Sequence, residues 1–271
     1  MLGKLCKYEF QSVARTLVPL YIGTLLLALL NGLAMRFDFN FFTGLMILAL
    51  SAFGIAIFVV TLVLIIQRFW NNLLKDEGYL MFTLPVSSYQ LVASKLISAL
   101  VWSILGALVG LLSILAWFVP LNIEMVAEFF RNFSDYFSQI RIYLAQANIN
   151  VYFAFFRICL SVLLAMLAEV QMLYFSMSVG QLPVFSRYRV GASFITFILT
   201  NFVCQKLSNA LMNIVFKDFQ YTATNDIGLF LQFLSDSTLS YLNFSDPMNL
   251  GLLLLFFFGT GWILKNKLNL E

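Results

Sequence analysis

Arg157, Glu169 and Gln171 stand inside one otherwise apolar run, residues 151–181, where polar side chains are costly. A charge carried to the centre of a bilayer costs about 2.5–3.5 kcal/mol on insertion scales. Each such residue therefore needs a partner, a water-filled cavity or a route to the surface. Arg157 lies near one end of the run, and its long stem can snorkel to the headgroups. Lys206, sixteen residues beyond Val190, can do the same. Glu169 has a short stem and lies well inside. It must face protein, a partner subunit or water. It then either lines a translocation path with Gln171 and Arg157 or bonds one helix to another. Arg157 and Glu169 are twelve residues apart and cannot pair within one helix.

The residue inventory excludes several other chemistries. The chain has no histidine, so histidine metal sites, general bases and triads cannot be built. Its three cysteines, Cys6, Cys159 and Cys204, are far apart and form no CxxC motif. There is no GxxxxGK[ST] phosphate loop, so the chain alone is not expected to hydrolyse ATP. No metal or cofactor site is expected in this chain. A net charge of +3 is small, and no nucleic-acid partner is expected.

Of 271 residues, 61% are hydrophobic and only 11% charged; a soluble domain carries about 25% charged residues. The charges cluster in gaps between apolar runs long enough to cross a bilayer, which takes about 20 residues. Six spans are predicted, over residues 16–35, 41–66, 96–119, 151–181, 190–212 and 248–264, in a single all-α membrane domain. With the N-terminus inside, ten Lys and Arg residues flank the spans on the inner side and four on the outer side. Both termini are therefore expected to be cytoplasmic, in a multi-pass protein of the plasma membrane. Residues 1–15 place Leu2, Leu5, Cys6, Phe10 and Val13 on one face, as in a helix lying in the inner interface. Residues 121–150 carry an apolar stripe through Phe129, Phe130, Phe133 and Phe137, and an outer amphipathic helix is expected there. A second outer segment, residues 217–247, contains "IGLFLQFL", too short to span and expected as an interfacial or re-entrant helix.

Between the second and third spans the chain reads "KDEGYLMFTLPVSSYQLVASK", residues 75–95. Asp76 and Glu77 suit the first turn of a short helix, where the helix dipole favours negative charge. Tyr79, Leu80, Met81 and Phe82 follow, and Pro85 stops it. Ser87 with Gln90 fits a capping box that starts a new helix leading into the third span. A helix as short as residues 76–84 cannot support itself in water and must lie on the bilayer or dock onto a partner.

"DEGYLMFTLPVS" (Asp76–Ser87) resembles the segment between the second and third spans of type II ABC exporter permeases. "SVGQLP" followed by "SRYRVGA" (Ser178–Ala192) is similar to that family's turn between the fourth and fifth spans. The family's general topology also agrees with the spans predicted here. The resemblance implies a half-transporter in which two permease copies, expected as a homodimer, each dock a separate cytosolic ATPase. Asp76, Glu77, Tyr79, Leu80, Met81 and Phe82 would form the coupling helix, and ATP and Mg²⁺ would sit on the two ATPase subunits. Small bacterial members of similar wording export amphipathic peptides such as phenol-soluble modulins and bacteriocins, which implies an amphipathic or lipophilic cargo. A secondary transporter or channel, driven by an ion gradient and using Glu169, is the alternative.

Overall fold

The computed structural model describes residues 2–36, 40–75, 78, 81, 85–146, 150–185, 187–215 and 227–267. Among these residues it is all-helical, without strands. The helices are α1 (Leu2–Arg36), α2 (Asn40–Phe69), α3 (Ser88–Leu121), α4 (Ile123–Arg131), α5 (Phe133–Gln146), α6 (Val151–Val179), α7 (Arg189–Val215) and α8 (Ile227–Asn266). Six of them, α1–α3 and α6–α8, are long and apolar enough to cross a membrane, so this is a multi-pass membrane protein by helix length and composition. The packing falls into two compact units, Met1–Asn132 and Phe133–Asn269.

In the first unit, α1 runs along α3, and both pack on α2. The buried residues of α1 are Glu9, Val13, Leu17, Tyr21, Thr24, Ala28, Asn31 and Gly32, a stripe with helical spacing. Val13, Leu17 and Tyr21 meet Ile57 of α2 and Trp102 of α3 in one cluster. The Tyr21 hydroxyl donates to the Trp102 carbonyl at 3.1 Å, which satisfies a buried phenol. Higher up, Gly32 is required by close approach: a β carbon there would sit 2.5 Å from the Trp117 carbonyl oxygen and 3.0 Å from Pro120. Small residues that let backbones touch are how helices associate in lipid. The opposite face of α1 exposes Ile22, Leu26, Leu29 and Leu30, which suits contact with acyl chains.

In the second unit, α6 packs on α8 and α7. α6 starts where Asn150 caps it, its side-chain oxygen accepting from the N–H groups of Tyr152 and Phe153 at 3.1 and 3.2 Å. It ends in a tight turn to α7. There a β carbon on Gly180 would lie 2.6 Å from the Arg189 carbonyl and 2.0 Å from Ser193 Oγ. Any larger residue at position 180 drives the start of α7 away from α6. The Phe175 and Phe256 rings lie 5.1 Å apart between α6 and α8, and a β carbon on Gly259 would lie 2.9 Å from Phe175.

Three element boundaries differ from the sequence expectation. Residues 1–15 and 16–35 were expected as an interfacial helix followed by a span, but from Leu2 they form one continuous helix. Pro19 does not end it; the packed stripe runs on both sides of that proline. The amphipathic segment expected over residues 121–150 is split at Asn132 into α4 and α5, with the Asn132 N–H bonding the Glu128 carbonyl at 2.9 Å. The "IGLFLQFL" segment is not separate from the last span: α8 runs from Ile227 through Pro247 to Asn266.

Helix length then locates part of the first unit outside the hydrocarbon core. At 1.5 Å per residue the 35 residues of α1 and the 34 of α3 rise about 52 and 51 Å, against a hydrocarbon core of about 30 Å. A tilt of about 30° still leaves each about 15 Å too long. Residues 16–35 and 96–121 carry no charge, so the surplus belongs to the ends that hold Glu9 and Lys95. The end of α2, at Arg68, lies at the same level, because its guanidinium bonds Ser12. These ends of α1, α2 and α3 therefore reach past a hydrocarbon core of that thickness, to the depth of the headgroups.

Filling the Gly32 contact tests the α1–α3 seam. Gly32→Ala is expected to cost about 1–3 kcal/mol through overpacking against the Trp117 carbonyl. A lower thermal midpoint in detergent, with Gly44→Ala (open space at its β position) unchanged, checks it.

Candidate functional site

The segment between α2 and α3 is framed by unusual local structure at both ends. α2 widens into one π-helical turn over Trp70–Leu74, a feature common at functional sites. That turn buries Leu73 and Leu74 beside Phe69. The chain then becomes extended at Lys75. Gly78 returns close to the turn it has just left: its N–H bonds the Lys75 carbonyl at 2.7 Å, and a β carbon would lie 2.6 Å from the Leu73 carbonyl oxygen. Only glycine fits there. The backbone at Gly78 and Met81 is helical, and Met81 is half-buried. Asp76, Glu77, Tyr79, Leu80 and Phe82 lie outside the described residues, as do residues 83 and 84.

At the far end the predicted restart is present. Pro85 and Val86 are not helical. Ser87 is extended, its Oγ accepts from the Gln90 N–H at 3.3 Å, and the Gln90 side chain accepts from the Ser87 N–H at 3.3 Å. Such reciprocal capping satisfies two donors that would otherwise be orphaned, and the Ser87 side chain contributes about 1 kcal/mol.

Both flanks of the segment reach the same helix. Arg68, at the end of α2, donates to the Ser12 hydroxyl of α1. Lys95, two turns into α3, forms a salt bridge with Glu9 of α1. Glu9 and Lys95 are only 8% and 4% exposed. Sequence reading took Lys95 only as one more inner-side positive charge and passed over Glu9. A signal was present: Glu9 falls between Leu5 and Val13 at four-residue steps, on the apolar face of the first helix, where an unpaired carboxylate would be out of place.

The residues singled out inside the membrane prove to have separate surroundings. Arg157 does not simply reach outward. Its Nη2 donates to Asn243 Oδ1 at 3.1 Å and lies 3.2 Å from Asp246 Oδ2, both on α8. Asp246 is itself buried. Reading the last span as beginning at residue 248 had left this aspartate outside it. Because α8 continues through Pro247, Asp246 is drawn into the α6–α8 contact.

Gln171 is fully buried on the same two-helix contact. Its Nε2 donates to Thr260 Oγ1 at 3.1 Å and to the Phe256 carbonyl at 3.3 Å, while its Oε1 has no partner among the described residues. This is the interhelical bonding that lipid-embedded polar side chains commonly make. Two serines further along α6 are also internal: Ser176 donates to the Met172 carbonyl and Ser178 to the Tyr174 carbonyl, both at 2.8 Å.

Glu169 stands apart. It is exposed on α6 and makes no hydrogen bond or ion pair with any described residue, though the Cys204 thiol of α7 lies within reach of its field. Lys206, also exposed, rests over the Phe202 ring at 5.4 Å. The structure thus brings Arg157 together with α8 and Gln171 together with α8, but it does not gather Arg157, Gln171 and Glu169 into one site. Among the described residues no group of three His, Cys, Asp or Glu side chains could hold a metal ion. Comparison with family models, with curated proteins and with solved structures yields no match.

Removing one partner of the Arg157–Asp246 pair strands a buried charge. Arg157→Ala is expected to destabilise the second unit toward the lower end of about 3–5 kcal/mol, because Arg157 is partly exposed. Adding Asp246→Ala should recover most of that loss. A double-mutant cycle on denaturation midpoints measures both.

Proposed function

We propose that this chain is the transmembrane subunit of an ATP-driven exporter of the type II ABC class, moving an amphipathic or hydrophobic cargo, such as a peptide, out of the cell. The observation that carries the reading is the stretch "DEGYLMFTLPVS", placed between the second and third of six candidate membrane helices. Its surroundings support it. The helix restarts at the Ser87–Gln90 capping box after Pro85, as the expected short helix and break require. The surplus length of α1 and α3 brings the ends of α2 and α3 that flank the segment past the hydrocarbon core. A segment carried there can meet a soluble partner.

On this reading residues 76–84 form the coupling helix, with Asp76 and Glu77 at its start, and Tyr79, Leu80 and Phe82, with Met81 beside them in the chain, fill a socket on a cytosolic ATPase. Two permease copies and two ATPase copies make the working assembly. Both termini lie in the cytoplasm, and the membrane is the plasma membrane. ATP and Mg²⁺ are held by the ATPase. When the ATPases close on ATP, the docked segments move, and the path between the permeases changes from inward- to outward-facing. Aromatic side chains, 17% of the chain, suit a cargo path that accepts apolar surfaces without directional bonds.

A second reading, ion-driven transport through Glu169, draws support from one feature: an exposed carboxylate on a membrane helix without a bonded partner. The two readings separate cleanly by experiment. Alanine at Tyr79, Leu80 and Phe82 together should abolish copurification of the ATPase encoded beside this chain, while the permease still inserts and elutes as the parent does. Retained copurification removes the coupling-helix assignment. Glu169→Gln should leave ATP-driven export within about twofold of the parent; loss of a proton-coupled flux in that variant, in vesicles without ATPase, favours the second reading.

A further inference from the structure

Arg68 and Lys95 bracket the 75–87 segment, and their partners on α1, Ser12 and Glu9, are three residues apart. One turn of one helix thus holds both the helix that leads into the segment and the helix that leaves it. The Glu9–Lys95 pair is a poor device for stability alone. Removing two charges from water is costly, and a hydrophobic replacement of similar volume is often neutral or stabilising. The pair is also incompletely satisfied, since Glu9 Oε2 has no partner among the described residues. What such a pair supplies is register: a buried charge tolerates one partner position and penalises every other.

The chain has reason to need register here. Below Tyr21 the contact of α1 with α3 is mostly aliphatic and aromatic, through Phe10, Val13, Leu17 and Trp102. Such surfaces can slide by a helical turn with little change in buried area. The directional contacts of the seam, the Tyr21 hydroxyl on the Trp102 carbonyl and Gly32 on Trp117, lie 12 and 23 residues from Glu9, about 18 and 34 Å along the helix. The stretch of α1 before Tyr21 takes its own polar anchors at Glu9 and Ser12.

We propose that Glu9 and Lys95, backed by Arg68 on Ser12, are positioning residues: they clamp the end of α2 and the start of α3, which flank residues 75–87 in the chain, to the first turns of α1. This deepens the exporter reading and rests on it for its purpose. A push on the segment is then delivered to α1 and α3 as one body, so that both spans tilt together. Residues 2–15 thereby act as part of the transmission and not only as a membrane anchor.

The test uses the full-length permease in nanodiscs and needs no ATPase for its first arm. Glu9→Leu with Lys95→Met replaces the pair by apolar residues of similar bulk. Amide hydrogen exchange over residues 75–90 is expected to quicken at least tenfold, with the thermal midpoint and exchange in α6 and α8 unchanged. The reversed pair, Glu9→Lys with Lys95→Glu, is expected to restore slow exchange to within about threefold of the parent. Parent-like exchange in the Leu/Met variant overturns the clamp. So does equal quickening throughout the protein, because that marks a purely structural pair. The second arm measures cargo exported per ATP hydrolysed in the reconstituted complex. The Leu/Met variant should bind ATPase as the parent does and lose at least half of that ratio; an unchanged ratio overturns the transmission role. If the parent itself binds no ATPase, the exporter reading fails while the exchange arm still decides the clamp.

Discussion

Lipid gives apolar helices no hydrophobic reason to associate, since an acyl chain solvates leucine as well as another leucine does. Everything that holds this fold together follows from that constraint. Beside the packing of Val13, Leu17, Ile57 and Trp102 and of Phe175 on Phe256, the contacts that join its helices are close backbone approaches at small residues and bonds between polar groups. In the first unit these are Gly32 on the Trp117 carbonyl, the Tyr21 hydroxyl on the Trp102 carbonyl, and Glu9 on Lys95. In the second they are Gly259 under Phe175, Gln171 on Thr260, and Arg157 on Asp246. The large aliphatic surface of α2 and α7 stays exposed and faces lipid at no cost.

The same constraint explains where the segment between α2 and α3 stands. A helix confined to the hydrocarbon need be only about 20 residues long. α1 and α3 exceed that by more than ten residues each. Their surplus carries the π turn at the end of α2 and the capping box before α3 past the hydrocarbon core. There the ends of α2 and α3 are tied to α1, through Ser12 and Glu9.

Charges inside the membrane sort themselves by the same rule. Arg157 and Gln171 are consumed by α8, so their chemistry is spent on joining helices. Lys206 lies over an aromatic ring at 5.4 Å and is exposed. Glu169 is left facing outward from the unit with no bonded partner among the described residues. Of Arg157, Glu169 and Lys206, it is the one for which the described residues supply no bonded or ring contact, which is why it stays the natural point of attack for any ion-coupled reading.

What the amino-acid sequence determined by itself was local. Apolar run length set the six candidate spans, and Pro85 with Ser87 and Gln90 set the break and restart before α3, because hydropathy and capping are read within a few residues. It determined poorly where helices end when a polar stretch continues an apolar one. Residues 2–15 run unbroken into α1, and α8 passes straight through Pro247, because neighbouring helices support turns that composition alone would end. Only the tertiary structure decided the partners: Glu9 with Lys95 across 86 residues, and Arg157 with Asn243, likewise 86 apart. On helices apolar almost all round, the 3.6-residue period marks no single inner face. Rotation and register are then set by where backbones can touch and buried charges can meet, which depends on the folded chain as a whole.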